Sequence, residues 1–174
     1  MEEQVILVNE NDEQTGVMEK MEAHRKGLLH RAFSIFIFND KGEMLLQQRA
    51  LNKYHSPGLW TNACCSHPRP GEEIITAANR RLAEELSFQT AIVPAFNFTY
   101  KASFDNGLTE HEFDHVLVGN YSLEITFNEN EAMACEYKSV AIIKEEIEVN
   151  PEKYTAWFII AFPKVMDWYN NQSK

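Results

Sequence analysis

The sequence has no apolar run long enough to cross a membrane. Its longest hydrophobic stretches, such as residues 32–38, are far shorter than the roughly 20 residues that a membrane helix requires. The first residues, MEEQ, are acidic, which is unlike a signal or transit peptide. We therefore expect neither a membrane partner nor a targeting segment.

Positive charge is also scarce. The chain has 16 lysine and arginine residues against 26 aspartate and glutamate residues, which gives a formal net charge of -10. So acidic a chain repels nucleic-acid backbones and anionic membrane surfaces, and we expect neither as a partner. A phosphate compound that binds here must therefore meet local basic groups or a cation.

Cysteine is sparse and poorly arranged for disulfides. The three cysteines are Cys64, Cys65 and Cys135. An odd count with two adjacent members is a poor disulfide framework, and it favours reduced thiols. We therefore expect a cytoplasmic protein.

The remaining composition is that of an ordinary folded protein. Hydrophobic residues make up 44% of the 174 residues, which is enough for one domain spanning 1–174. Periodicity predicts strands at 5–8, 32–38, 44–48, 91–100, 110–121 and 137–143, a polar turn at 11–16, and helices at 18–24, 72–86 and 154–169. Pro163 should bend or interrupt the last helix. Elements that do not strictly alternate predict an α/β (α+β) fold, with a mixed sheet sandwiched between helices.

The first motif whose side chains could take part in catalysis is TNACCSHP at residues 61–68. In an extended segment alternate side chains share a side, so Cys65 and His67 should point the same way while Cys64 points away. A thiol beside a metal-binding imidazole is a plausible acid or base, provided that its surroundings tune its pKa. The alternative is a pair of small buried hydrophobic residues next to a loop histidine.

A second motif carries three carboxylates at alternate positions. On a strand, Glu110, Glu112 and Asp114 line one face, and their mutual repulsion is usually relieved by a divalent cation. The alternative is a solvated edge strand whose charges prevent aggregation.

Further candidates are weaker when taken singly. Glu85 borders the apolar stripe of the helix at 72–86 and could reach inward to a metal, although a surface ion pair with Arg81 is the alternative. Each remaining candidate would alone be interpreted as an ordinary surface or core residue: the histidines His24 and His30, the basic residues Lys20, Arg49, Lys53 and Arg81, and the aromatic residues Tyr100 and Trp157.

Taken together, five segments resemble a known enzyme family. They are LHRAFS at 29–34, QRAL at 48–51 with Lys53, PGLWTNACCSHP at 57–68, EHE at 110–112 and AWF at 156–158. In order and spacing they resemble the type I isopentenyl-diphosphate isomerases, a branch of the Nudix fold. The segment at 57–68 is the most specific of the five.

The chain departs from the parent Nudix pattern at several positions. The pattern falls on Ser66, Glu72, Arg80, Arg81, Leu82, Ala83, Glu84, Glu85, Leu86 and Ser87. Both glycines of that pattern are serine here, and a glutamate of its metal cluster is replaced by Arg81. The loss of this carboxylate argues against pyrophosphate hydrolysis and favours the isomerase branch.

The resemblance also implies metal and substrate ligands. One divalent ion, Mn²⁺, Zn²⁺ or Mg²⁺, is expected on His24, His30, His67, Glu110 and Glu112. A second site is expected for a Mg²⁺ that bridges the substrate diphosphate, formed by Glu85 and the backbone carbonyl of Cys65. The diphosphate contacts implied by the resemblance are Lys20, Arg49, Lys53, Ser66 and Arg81.

The implied reaction interconverts isopentenyl diphosphate and dimethylallyl diphosphate in isoprenoid precursor biosynthesis. A proton is added at one carbon and another is lost two carbons away, through a tertiary carbocation. The resemblance implies Cys65 on one side of the substrate, Glu112 with Tyr100 on the other, and the ring of Trp157 beside the cation. Which of Cys65 and Glu112 is the acid stays open. The expected partner is a small diphosphate, and the expected state is a monomer or weak homodimer.

Two other functions stay open from the residues alone. One is a Nudix hydrolase of a nucleoside diphosphate derivative, and the other is a metal-binding module without catalytic activity. The first predicts release of phosphate or a mononucleotide. The second predicts no product and indifference to loss of the Cys65 thiol.

Overall fold

The computed structural model describes residues 3–172, which form nine strands and four α-helices. The strands are β1 (Gln4–Val8), β2 (Gln14–Glu19), β3 (His30–Phe38), β4 (Met44–Arg49), β5 (Trp60–Thr61), β6 (Cys64–Ser66), β7 (Ile92–Ser103), β8 (Thr109–Asn120) and β9 (Ala132–Lys138). The helices are α1 (Lys20–Lys26), α2 (Ile74–Leu86), α3 (Val140–Val149) and α4 (Ala156–Gln172), with a 3₁₀ turn at Pro151–Lys153. Within the described part of the chain, no helix is both long and apolar enough to span a bilayer.

All nine strands belong to one mixed sheet, as the sequence predicted. The path β2-β1-β3-β4-β5 is extended by β6 and β8 on β3, by β7 on β8 and by β9 on β4. β3 and β8 pair in parallel, whereas the other pairings are antiparallel. The central position of β3 explains its almost unbroken apolar sequence, because a strand covered on both faces has no solvent side.

A hydrophobic core lies on each face of this sheet. On one face Phe36 and Phe38 of β3 pack with Phe158 of α4. On the other face Ile35 of β3 packs with Leu82 of α2. Burying each such side chain contributes roughly 1.5–3 kcal/mol, so the alternation along β3 holds helices on both faces. The predicted sandwich of a mixed sheet between helices is confirmed.

The prediction of a strand at 137–143 was wrong beyond Lys138. β9 ends at Lys138, and α3 begins at Val140, immediately after Ser139. The apolar run after Ser139 resembles a strand, but only Ile143 of α3 is fully buried, which is the pattern of a helix with one apolar face. A short apolar run does not distinguish a strand from a helix by itself.

Two further local predictions were corrected. The predicted turn at 11–16 is shorter, because β2 begins at Gln14 and pairs with β1. α4 also runs without interruption through Pro163. Its neighbours Phe158, Phe162 and Val165 are buried on both sides of the proline, and this packing offsets the loss of one backbone hydrogen bond.

An ion pair holds the segment before α2 against that helix. The Glu72 carboxylate accepts hydrogen bonds from Arg80 Nε at 2.7 Å and Arg80 Nη2 at 2.8 Å. It also accepts the backbone N–H of Arg69 at 2.9 Å. The hydrogen bonds from Arg80 lower the pKa of Glu72 to about 2.

We expect Glu72→Gln to lower the free energy of unfolding by about 1 kcal/mol at neutral pH, as for a well-formed surface ion pair. A carboxylate whose pKa is depressed by folding stabilises above its unfolded pKa, and this contribution is lost as pH falls through the folded value. The difference from wild type, measured by urea denaturation, should therefore shrink between about pH 4.5 and pH 2. A difference that stays constant across that interval would contradict the assignment.

Candidate active site

One pocket brings together residues from α1, β4, β6, α2, β7, β8 and α4. Among the residues predicted for the site, those that line it are Lys20, Arg49, Lys53, Cys65, Ser66, His67, Arg81, Glu85, Tyr100, Glu110, Glu112 and Trp157. The other two, His24 and His30, are fully buried beside it and cluster with His67 and Glu112. The structure thus assembles the whole predicted set from segments far apart in sequence.

Strand pairing explains the convergence at the centre of the site. His30 of β3 lies opposite Glu112 of β8 in the parallel pair, and Tyr100 of β7 lies opposite Glu112 on the other side. Three of the predicted site residues therefore lie side by side across three adjacent strands. Glu110, Glu112 and Asp114 are all buried, which confirms that they share one face of β8.

Four buried residues form the core of a candidate metal centre. His24, His30, His67 and Glu112 each offer one ligand atom, and all four atoms lie within 4.8 Å of one another. Glu112 Oε1 is 2.9 Å from His67 Nε2 and 3.5 Å from His30 Nε2.

Three histidine ring nitrogens that have no hydrogen-bond partner show that these residues suit a divalent cation. His24 Nδ1 and His30 Nδ1 are bonded to backbone carbonyl oxygens, at 2.7 Å from Lys20 and 2.8 Å from Leu28. Their Nε2 atoms, and Nδ1 of His67, are buried with no hydrogen-bond partner. Buried polar atoms are rarely left unpaired, and a backbone partner on one ring nitrogen is the usual arrangement of a metal-binding histidine.

Glu110, the fifth predicted metal ligand, belongs to an overlapping group. It shares that group with His24 and His55, whose ligand atoms again lie within 4.8 Å of one another. Glu110 Oε1 is 2.8 Å from His55 Nε2, and Glu110 Oε2 is 2.9 Å from the Tyr100 hydroxyl. The sequence did not predict His55, because an isolated histidine in the loop after Lys53 carries no motif.

Burial and the contacts between these groups together set their charge states. Burial lowers the pKa of His67 to about 4 and that of His55 to about 3, so both imidazoles are neutral at pH 7. Burial also acts to raise the pKa of Glu112, but contacts with His30 and His67 outweigh it and hold the value well below the usual carboxyl range. Burial and the Glu112 charge together raise the pKa of Glu110. Neutral imidazoles and an ionised carboxylate are the forms that bind metals.

The Cys65 sulfur is held by three polar side chains. Trp157 Nε1 donates to Sγ at 3.1 Å, and the thiol lies 3.1 Å from Asn62 Oδ1 and 3.4 Å from Ser34 Oγ. Burial, followed by the charge of Asp114, raises the pKa of the thiol. The sulfur therefore keeps its proton at pH 7 and has a defined orientation in the pocket.

Asp114 has a different environment from the other two carboxylates on its face. Its Oδ2 accepts the Ser34 hydroxyl at 2.6 Å, and it belongs to neither candidate metal group. Ser34 uses its single proton in this bond, and the one proton of the Cys65 thiol points to Asn62 Oδ1, so the 3.4 Å approach of Ser34 Oγ to the sulfur is a polar contact only. The sequence predicted one cation beside all three carboxylates, but only Glu110 and Glu112 belong to groups that could bind it.

The two adjacent cysteines face opposite sides of the sheet, as predicted. Cys64 is fully buried in the core against α2, whereas Cys65 is half-buried and contacts the core beneath α4. Only Cys65 lines the pocket.

Two aromatic side chains contact the polar groups of the pocket. Tyr100 lies beside the two carboxylates, and Trp157 lies beside the thiol and Arg49. The buried Tyr100 hydroxyl lies 2.6 Å from Glu112 Oε2 as well as 2.9 Å from Glu110 Oε2. The Trp157 ring lies beneath the Arg49 guanidinium, whose Cζ is 5.3 Å from the ring centroid. One indole thus contacts both the thiol and a basic residue predicted to bind the diphosphate.

The four basic residues predicted for the diphosphate border the pocket, and three of them, Lys20, Lys53 and Arg81, are paired with carboxylates. Arg81 Nη2 is 2.5 Å from Glu85 Oε1 and 3.2 Å from Glu131 Oε1, and Lys53 also bonds Glu131. Lys20 is 3.0 Å from Glu3. Lys20, Lys53 and Arg81 also line a groove that adjoins the pocket. The sequence offered no signal for Glu131, because its partners are distant along the chain.

Comparison with known proteins agrees with this geometry. The NUDIX domain family matches residues 28–158. A Pectobacterium atrosepticum protein named isopentenyl-diphosphate Delta-isomerase is 50% identical over 166 residues, which cover 95% of this chain and 93% of that protein. A Serratia proteamaculans protein of the same name is 47% identical over 159 residues, covering 91% and 89%.

Solved structures share the fold at lower identity. A crystal structure of a Deinococcus radiodurans protein has a TM-score of 0.79 at 21% identity and covers 93% of this chain and 98% of its own. A MutT protein from Methanosarcina mazei has a TM-score of 0.66 at 17% identity, covering 84% and 96%. At these identities the likeness concerns the fold alone.

Proposed function

The chain belongs to the Nudix family and, within it, to the isopentenyl-diphosphate Delta-isomerases, and on this basis we propose that it interconverts isopentenyl diphosphate and dimethylallyl diphosphate. The protein is then an isomerase that supplies both five-carbon precursors of isoprenoids. The observation that carries the proposal is the pocket itself, where the Cys65 thiol and the Glu112 carboxylate line one cavity beside a cluster of basic residues.

The reaction requires two groups that exchange protons with a hydrocarbon. We assign these roles to Cys65 Sγ and to the Glu112 carboxylate with its Tyr100 partner, because these are the groups that the fold holds in place around the pocket. One group protonates the alkene and the other removes a proton two carbons away. Positioned proton transfer of this kind contributes roughly 10²–10⁴-fold each.

The intermediate carbocation must be shielded from water and stabilised. The walls of the pocket include the buried aromatic side chains Tyr100 and Trp157. A ring face beside a desolvated cation contributes about 2 kcal/mol, which is small beside the barrier. The larger part of the rate enhancement is therefore assigned to positioning and proton transfer.

We assign the divalent ion to His24, His30, His67, Glu110 and Glu112. When bound, this Mn²⁺, Zn²⁺ or Mg²⁺ would supply positive charge that keeps Glu112 ionised and sets its proton affinity. The unpartnered ring nitrogens support this assignment. The Tyr100 hydroxyl lies between the two carboxylates of the set, and its single proton has its shorter contact with Glu112, at 2.6 Å.

The diphosphate is assigned to the basic rim of the pocket. Lys20, Arg49, Lys53, Ser66 and Arg81 line that rim and are proposed to contact phosphate oxygens. Glu85 and the backbone carbonyl of Cys65 are the proposed ligands of a Mg²⁺ that bridges to the diphosphate. Substrate oxygens would then take the place of the carboxylates that now pair with Arg81 and Lys53.

The absence of one carboxylate of the Nudix pattern, at position 81, argues against hydrolysis. Arg81 stands where the Nudix pattern carries a glutamate, and its guanidinium pairs with Glu84, Glu85 and Glu131. A positive charge at this position removes one ligand from the metal cluster that activates water in Nudix hydrolases.

The test is incubation of the protein with isopentenyl diphosphate and Mg²⁺ in deuterated water, followed by NMR. We expect deuterium in a dimethylallyl product. In a parallel sample, a nucleoside diphosphate derivative should remain intact. Phosphate or mononucleotide release without isomerisation would reject the proposal in favour of a hydrolase, and absence of both products would favour a metal-binding module.

A further inference from the structure

His55 is buried in the pocket, although it belongs to none of the segments that identify the family. Its side chain is only 2% exposed, and its Nε2 lies 2.8 Å from Glu110 Oε1. It also forms the second candidate metal group, with Glu110 and His24. A polar ring buried at this depth beside a metal ligand requires a role.

Aromatic packing fixes the orientation of the His55 ring. The ring stacks on Phe104 with centroids 4.8 Å apart and an interplanar angle of 9°. It meets Tyr54 edge-on at 4.5 Å and Trp157 edge-on at 5.6 Å. Arg49 Nη2 donates to the His55 backbone oxygen at 3.1 Å, so the backbone is held as well. The imidazole therefore cannot turn away from Glu110.

We propose that His55 is a positioning residue of the metal centre, which donates from Nε2 to Glu110 Oε1 and so orients this carboxylate toward the cation. The inference rests on the metal centre proposed above. The Tyr100 oxygen lies 2.9 Å from the other oxygen of Glu110, so each oxygen of this carboxylate has a polar neighbour, and His55 supplies the N–H donor. Hydrogen-bonding partners of metal ligands restrict their orientation, and their loss typically weakens metal binding 10–100-fold.

The short contact with Glu110 supports donation rather than direct coordination. An ionised carboxylate can only accept, so the neutral His55 ring carries its proton on Nε2, 2.8 Å from Glu110 Oε1. Nδ1 is then free of a proton and lies 3.5 Å from the Ser56 hydroxyl. Direct coordination through Nε2 would require that proton to move to Nδ1 and the hydrogen bond to Glu110 to be broken.

The experiment measures Mn²⁺ binding to the substrate-free protein after chelator treatment, from the EPR signal of free Mn²⁺. We expect His55→Ala to weaken Mn²⁺ affinity by roughly 10–100-fold. His55→Gln keeps an N–H donor near the same position and should retain affinity within about threefold of wild type. Thermal melting of each variant separates loss of the site from loss of the fold.

His115→Ala is the matched control. His115 Nε2 also lies 2.8 Å from a carboxylate oxygen, that of Asp12, but outside the pocket. This variant should bind Mn²⁺ as the wild type does. A double-mutant cycle adds a second check, because His55→Ala should weaken binding little further once Glu110→Gln is present.

The possible outcomes are distinct. Wild-type affinity in His55→Ala, or full additivity with Glu110→Gln, would overturn the inference while leaving the isomerase intact. Equal losses in the glutamine and alanine variants would also overturn it, since they indicate direct coordination. A wild-type protein that binds no Mn²⁺ would remove both the inference and this metal centre, while deuterium incorporation would still test the isomerase separately.

Discussion

Cys65→Ala should reduce isomerase turnover by at least about 10²-fold while the protein remains folded. The reason is that Cys65 Sγ is one of the two groups in the pocket that we propose to exchange protons with the substrate, and a positioned acid or base of this kind contributes roughly 10²–10⁴-fold. The measurement is the initial rate of dimethylallyl diphosphate formation, with circular dichroism to confirm the fold.

Cys64→Ala provides a control one residue away. Cys64 is buried against α2 and does not line the pocket, so this variant should lose some stability and keep its turnover. Turnover close to wild type in Cys65→Ala would exclude the thiol from the mechanism. Equal losses in both cysteine variants would indicate a structural rather than a chemical effect.

Glu112→Gln should lower turnover by a similar factor for two separable reasons. The amide cannot accept a proton as the carboxylate does, and it is a poorer ligand beside His30 and His67. Rate and metal content should be measured on the same preparation. We expect the rate to remain low even in samples that contain a full complement of metal.

A suitable control is His111→Asn, which changes the neighbouring position on the opposite face of β8. His111 contacts the backbone oxygen of Gly27 and does not line the pocket. Its turnover should stay close to wild type. If added metal restored full turnover to Glu112→Gln, this residue would be a ligand alone and the proton-transfer role would be wrong.

Local pattern in the sequence predicted much of the arrangement. Alternation placed Glu110 and Glu112 on one face of β8 and separated Cys64 from Cys65, because side-chain direction on a strand has a period of two residues. The four-residue spacing of Arg81 and Glu85 on α2 likewise predicted their ion pair. Such rules need no knowledge of the fold.

Contacts between distant segments could not be obtained in this way. The bonds from Trp157 to Cys65 and from Ser34 to Asp114 join residues 92 and 80 positions apart. They depend on how α4 and β8 pack against the sheet, and no local pattern reports that packing. His55 was missed for the same reason, since its aromatic neighbours meet only in the folded chain.

The hydrogen bond from Trp157 to Cys65 also bears on the order in which the enzyme becomes active during synthesis. α4 follows every other helix and strand along the described chain, so a ribosome releases it after all the elements that carry the other site residues. A nascent chain can thus assemble the sheet and its histidines before the thiol acquires its indole partner. Isomerase activity should then appear late and in one step, when α4 packs against the sheet.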